Sequence, residues 1–370
     1  MSDAATVLER CACLGEISEE DGLLVRRYGT EAMRRANALV GGWMRAAGLE
    51  VREDAVGNLI GRRGPGRPVL LGSHLDTVRD AGRYDGPLGV LVALAAVERV
   101  GDRTVEVLGF ADEEGLRFGT AYLGSAPVAG RFDPAWLGLR DADGIALADV
   151  LQGDPADAAR EDVVAYAEVH IEQGPVLERL GEPVGVVTAI NGQSHAEVVF
   201  TGEAGHAGTV PLGGRRDALA AAAEWVLAVE GTGTVGRLAV EPGARNVIPG
   251  RAAMTLDVRD PDDDTRRAAV ARLREAAHAI AARRGVELAW TDTGDIPAVA
   301  MDERLSAAWG VATRLPSGAG HDAAMMAAIA PATMLFVRCR GGISHNPAES
   351  VEEADVAVAI DALERLLRAV

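Results

Sequence analysis

The pattern of apolar and polar positions divides the chain into two kinds of segment. In TEAMRRANALVGGWMRAAG the apolar residues recur at helical spacing, which predicts a helix after Thr30 that stops at Gly48. LEVREDAVGNLIGRR alternates like a hairpin. RPVLLGSHLDTV, TVEVLGFADEEG and VVAYAEVHIEQGP each read as a buried strand running into polar residues. PLGVLVALAAVERV, between the first two, is apolar all round, as expected of a helix crossing behind a sheet. This alternation predicts an α/β fold: a mostly parallel sheet with helices on both faces. In such sheets chemistry gathers at the carboxyl ends of the strands, where all three polar clusters fall.

The character changes near Gly192. SHAEVVFTG alternates as a strand, RRDALAAAAEWVLAVE reads as a helix, and GRLAVEP and GRAAMTLDVRD read as strands. DDDTRRAAVARLREAAHAIAARRG is a long amphipathic helix with acids at its start, and VELAWTDTG is a closing strand. The order β-α-β-β-α-β predicts a ferredoxin-like α+β domain over 193–299, inserted into a larger domain formed by 1–192 and 300–370. A chain of 370 residues is long enough for two cores.

Composition narrows the chemistry. A net charge of -18 argues against a nucleic-acid partner, whose phosphates need a basic face. No apolar run is long enough for a membrane span. The opening MSDAATVLERCACLGEISEEDG is acidic where an export signal needs a basic start, so a cytoplasmic protein with reduced Cys11, Cys13 and Cys339 is expected. The sequence contains no lysine: all 37 Lys or Arg positions are arginine. Schiff-base catalysis, pyridoxal-phosphate chemistry, the phosphate-loop lysine and a carbamylated-lysine metal bridge are thereby excluded.

The candidate chemistry lies in four stretches. GSHLDTV with GRYDGPLG offers His74 and Asp85, ligands suited to zinc, manganese or cobalt. Asp76 stands two residues beyond His74, where a carboxylate can fix an imidazole tautomer. DEEG at 112–115 offers adjacent acids for two jobs, one binding metal and one taking a proton from water. HIEQGP places His170 and Glu172 on one strand face, and GGISHNPAE carries His345 before the last helix. Each stretch alone fits an ordinary polar loop equally well. Together, five of the seven histidines (His74, His170, His206, His321 and His345) sit in polar, Gly-rich strand-end loops, whereas His195 and His278 do not.

These motifs carry a resemblance. GSHLDTV, GRYDGPLG, EEGLRF, HIEQGPVLE, GEAGHAGT, NVIPG, DVR, SGAGHDA and GISHNPAE occur here in the order found in allantoate amidohydrolases, N-carbamoyl-L-amino-acid hydrolases and β-ureidopropionases, within the aminoacylase- and carboxypeptidase-like dinuclear metallohydrolases. The likeness spans roughly 20 to 369, with Arg83 standing where a second glycine is usual. It implies two divalent metals (zinc, manganese or cobalt) bridged by Asp85, with His74, Glu114, His170 and His345 as further ligands, and Glu113 as the general base. It also implies that Arg259 holds a substrate carboxylate, that Asn246 contacts substrate, and that His206 steadies the oxyanion. Gln173 and the Gly341–Gly342 backbone are weaker substrate contacts, with His321 and Asp322 nearby. In that family His206 and Asn246 reach the partner subunit's site, so the resemblance makes 193–299 a lid and dimerisation domain on a catalytic domain of 1–192 and 300–370, and a homodimer is expected. The implied reaction is hydrolysis of a linear ureido acid, allantoate or an N-carbamoyl-L-amino acid, to ammonia, carbon dioxide and an amine. The rivals are an aminoacylase or dipeptidase-type metallopeptidase and a non-catalytic metabolite-binding relative; the latter should have lost a ligand or the base, and neither is missing.

Overall fold

The structure, a computed structural model, describes residues 2–370. By its contacts the chain falls into two units: one runs through Thr188 and resumes at Met301–Val370, and the other is Ala189–Ala300.

The first unit is built on a mixed sheet. Across it lie Glu50–Glu53, Leu59–Arg63, Val105–Phe110, Val69–His74, Ala165–Ile171, Ala332–Val337 and Val184–Ile190. The four strands from Val105–Phe110 to Ala332–Val337 run parallel, and the pairs on either flank are antiparallel. The parallel arrangement is thus confined to the centre, and the hairpin read from the alternation of 49–63 forms one antiparallel edge. All residues of the four central strands are buried, which explains why they read as continuous apolar runs. Helix Pro87–Arg99 links two of them and is buried along Pro87–Val97, so no polar face is selected. Helices Asp3–Gly15 and Glu353–Ala369 pack on it and complete the core. Gly89 lets helix Pro87–Arg99 lie close on the sheet: a Cβ there would overlap the Val169 carbonyl oxygen and stand 2.9 Å from Ser73 Cβ. His74 is the last residue of its strand and His170 the next-to-last of its own, so the topology brings both to one sheet edge.

The second unit has an antiparallel sheet in the order Glu287–Ile296, Gly192–Thr201, Arg251–Asp260, Leu238–Glu241. Its two main helices are Ala218–Val229 and Asp263–Arg284. The longer starts at Asp262, whose side chain accepts from the Thr265 amide at 2.8 Å, and ends at the left-handed Gly285 behind Arg283 and Arg284. Ala252, Met254, Leu256 and Val258 point into the helix-covered core with Phe200 and Trp225. The two-residue period therefore puts Asp257 and Arg259 on the opposite face. A small ladder missed in the sequence pairs Gly205–His206 with Val247–Ile248.

Candidate metal centre and its surroundings

The first unit gathers His74, Asp85, Glu113, Glu114, His170 and His345 at the strand ends. Their ligand atoms form overlapping groups, including His74–Asp85–His170 and Asp85–Glu114–His345, with all atoms of a group within 4.8 Å of one another. His74 Nδ1 faces the Asp76 carbonyl at 3.1 Å and its carboxylate at 3.3 Å. His170 Nδ1 faces the Ile171 carbonyl at 3.0 Å. With Nδ1 of both rings so engaged, both Nε2 atoms turn inward, 3.5 Å apart. Asp85 addresses both groups: Oδ1 lies 3.3 Å from His170 Nε2, and Oδ2 lies 3.2 Å from His345 Nε2. Glu114 Oε1 lies 3.4 Å from the same His345 nitrogen.

Local backbone chemistry makes these placements possible. Gly86 has φ 85°, and a Cβ there would lie 2.6 Å from the His74 ring, so the turn carrying Asp85 needs a glycine. Asp76 accepts from the amides of Glu113 at 3.0 Å and Glu114 at 3.2 Å, so one carboxylate orients both His74 and the acidic loop. Among the described residues, four non-glycines have positive φ, and three of them, Tyr122, Gln173 and His345, belong to this centre. Strained backbone of this kind concentrates where function over-determines the geometry.

The electrostatics suit cations. Burial pushes Glu113 well above the usual carboxylate range; His74 opposes the shift, and Glu114, Asp322 and Asp76 add to it. Burial likewise drives Glu114 up to about 7, against His74 and with the help of Asp85 and Asp76. Asp85 goes the other way: burial would raise it, but His345, His170 and His74 hold it well below the ordinary value. Burial pulls His170 down to about 4, which leaves a neutral imidazole with a lone pair to offer. Inward-facing imidazole nitrogens beside crowded carboxylates are the donor set that divalent zinc, manganese or cobalt takes, so the residues fit such ions.

Several partners were not assigned from the sequence. Glu349 is buried, accepts from the amides of Tyr84 at 2.8 Å and Asp85 at 3.1 Å, and is pushed up to about 7 by burial and Asp85. Ser344 donates to Asp85 at 2.8 Å. Glu349 stands in the quoted GISHNPAE motif, but nothing in its spacing announced that it would hold the Asp85 turn. Glu168 joins Ser73 at 3.1 Å, Tyr166 at 3.0 Å and the Ala323 amide at 3.0 Å behind His170. His321 packs edge-on against His170 at 4.5 Å and shares a hydrogen bond with Ser317, and Asp322 is fully buried beside it in the chain.

The candidate substrate residues divide. Gln173 belongs to the centre: its amide nitrogen donates to both Asp85 oxygens at 3.2 and 3.1 Å. Gly341 does not offer a free amide, because its N–H already donates to Glu178 at 3.0 Å. The neighbouring Glu178 side chain satisfies that group. In the second unit, His206 pairs with Val247 across the small ladder and the Ala207 amide donates to the Asn246 carbonyl, so His206 and Asn246 are neighbours. His206 Nδ1 accepts from the amides of Gly208 and Thr209 at 3.0 and 3.2 Å, which leaves Nε2 as the ring's donor. Arg259 donates to Asp257 through Nε at 3.1 Å and Nη2 at 2.8 Å.

The chain is similar to known proteins over most of its length. Residues 70–369 match the family described as Peptidase family M20/M25/M40. An N-carbamoyl-L-amino acid amidohydrolase of Geobacillus stearothermophilus is 41% identical, with 96% of this chain and 95% of that protein covered. An allantoate deiminase of Arabidopsis thaliana is 38% identical over 94% of this chain and 78% of its own length. A hydantoinase/carbamoylase family amidase from Burkholderia multivorans superposes with a TM-score of 0.92 at 34% identity, covering 99% of this chain and 97% of its own.

Proposed function

The chain belongs to peptidase family M20/M25/M40, and from that premise we propose that it hydrolyses a linear ureido acid, allantoate or an N-carbamoyl-L-amino acid, with two divalent metal ions. The observation that carries this reading is Asp85, whose two oxygens face different histidines at 3.3 and 3.2 Å, as a bridging carboxylate must. His74 and His170 would hold one ion, Glu114 and His345 the other, and Asp85 both. Zinc, manganese or cobalt bound there supplies positive charge that acidifies water and polarises the scissile carbonyl.

The chain's own groups do the rest. Glu113 takes a proton from the attacking water and passes it to the leaving nitrogen as the C–N bond breaks. The carbamate left behind then decomposes to carbon dioxide and the remaining nitrogen product, so that one ammonia and one amine leave in all. Its carboxylate makes no hydrogen bond among the described residues, so it is available for that transfer. Asp76 keeps Glu113 and His74 in register. Arg259, which Asp257 orients through Nε and Nη2, grips the substrate carboxylate. His206, donating from Nε2, steadies the oxyanion, and Asn246 beside it contacts the substrate. A second copy of the chain would contribute these last two residues, which makes a cytoplasmic homodimer the working form.

Ammonia release tests the substrate class. Enzyme stripped of metal and reloaded with zinc, manganese or cobalt should release ammonia from allantoate or N-carbamoyl-L-amino acids. Turnover of N-acetyl amino acids or dipeptides instead would replace the ureido reading with the aminoacylase one. Replacing Arg259 tests the carboxylate grip: Arg259→Ala should raise KM about 100-fold, the loss of a charge-assisted pair of about 3 kcal/mol. An unchanged KM would remove Arg259 from the substrate site.

A further inference from the structure

Tyr122 has a backbone that an aromatic residue seldom adopts. Its φ is 67°, in the left-handed region that disfavours a side chain. The loop before it forces this position. The Gly119 amide donates to the Gly115 carbonyl at 2.9 Å, and a Cβ on Gly115 would lie 2.6 Å from the Thr120 carbonyl carbon. The chain thus doubles back, the Tyr122 amide donates to the Glu113 carbonyl at 3.2 Å, and the Gly124 amide donates to the Asp112 carbonyl at 3.0 Å. The ring therefore hangs from the same loop as Glu113 and Glu114.

The end of the ring is placed with equal economy. A Cβ on Gly320 would overlap the Tyr122 hydroxyl oxygen, and Glu113 Oε1 lies 3.9 Å from that same point. Gly320 is the only residue type that leaves room for the phenol there. Among the described residues neither the Tyr122 hydroxyl nor the Glu113 carboxylate has a hydrogen-bond partner. A phenol and a carboxylate with no other partners thus converge on one spot walled by a glycine.

We infer that Tyr122 is a positioning residue for Glu113: its hydroxyl donates to the Glu113 carboxylate during turnover and aims it at the attacking water, and Gly320 exists to admit that hydroxyl. The inference rests on Glu113 being the base. Burial, with Glu113 and Asp322 adding to it, raises the phenol well above its ordinary range, so the group stays protonated and acts as a donor. The step transfers no proton from Tyr122; only the orientation of the carboxylate depends on it.

The test uses the metal-loaded, full-length enzyme and compares kcat, KM and metal content. Tyr122→Phe should lower kcat by roughly 10- to 100-fold, leave KM within about twofold, and leave bound metal unchanged. Gly320→Ala should reproduce that loss by displacing the hydroxyl. In the Phe background the same alanine should cost less than about threefold, because its methyl enters the space the oxygen has left. Tyr122→Phe added to Glu113→Gln should cost nothing further. A wild-type kcat for Tyr122→Phe, a rise confined to KM, or a further multiplicative loss on top of Glu113→Gln would each overturn the inference. Full activity of Glu113→Gln itself would instead remove the base on which it rests, so the two failures are distinguishable.

Discussion

Glu113→Gln should lower kcat by on the order of 10²–10⁴-fold while leaving the metal content of the protein unchanged. The substitution keeps the size of the side chain and removes only its capacity to accept a proton. The placement of residue 113 survives the change, because the Glu113 amide, not its carboxylate, is what Asp76 holds at 3.0 Å. Its neighbour behaves differently. Glu114 presents Oε1 to His345 at 3.4 Å and belongs to a group with Asp85, so Glu114→Gln should lose metal as well as activity. Element analysis of the two purified variants separates the roles. Loss of metal from Glu113→Gln with retention in Glu114→Gln would mean that the two acids exchange jobs. The outcome matters for the rival reading too, since a metabolite-binding relative would show no turnover for either substitution to abolish.

Adjacent acids with different fates show how much of this centre was legible in the sequence and how much was not. The candidate ligands could be read because each ends a buried strand or sits in a glycine-bounded loop, and period-two alternation fixes which side chains share a face. His74, His170 and the DEEG loop were found in this way. The parallel centre of the sheet was legible because Val69–His74, Val105–Phe110 and Ala165–Ile171 are mostly apolar and buried on both faces. What could not be read was how the loops are tied together. Glu349 reaches 264 positions back along the chain to the Asp85 amide, and Asp76 reaches forward 38 to that of Glu114. Such contacts have no period. Tyr122 left no signal at all, because its importance depends on a φ value and on the absence of a Cβ at Gly320. Gly341 is the converse case: its glycine motif was visible, but the Glu178 carboxylate that satisfies its amide lies 163 positions away.

Asp85→Asn should abolish detectable turnover and strip both ions, because it is the one residue that both ligand groups share. The substitution retains shape and one carbonyl oxygen, and the amides of residue 85 and Tyr84 can still reach Glu349. What it removes is the negative charge and the second anionic oxygen, at a place where His345, His170 and His74 hold the carboxylate well below its ordinary range. Divalent cations bound there would favour the anion further. The new amide nitrogen would also face either Gln173 or Ser344, both of which donate to the carboxylate in the native protein, so one oriented donor loses its acceptor. Replacing a ligand of one group only should behave otherwise. His345→Ala leaves the His74–Asp85–His170 group intact and should retain about one ion per subunit. Metal content measured after dialysis against a weak chelator distinguishes these cases, with circular dichroism to establish that each variant is folded. Two ions per subunit in folded Asp85→Asn would show that Asp85 does not bridge. The centre would then have to be redrawn as two independent sites, His74 and His170 in one and Glu114 and His345 in the other, each seeking its charge from Glu113 or from solvent.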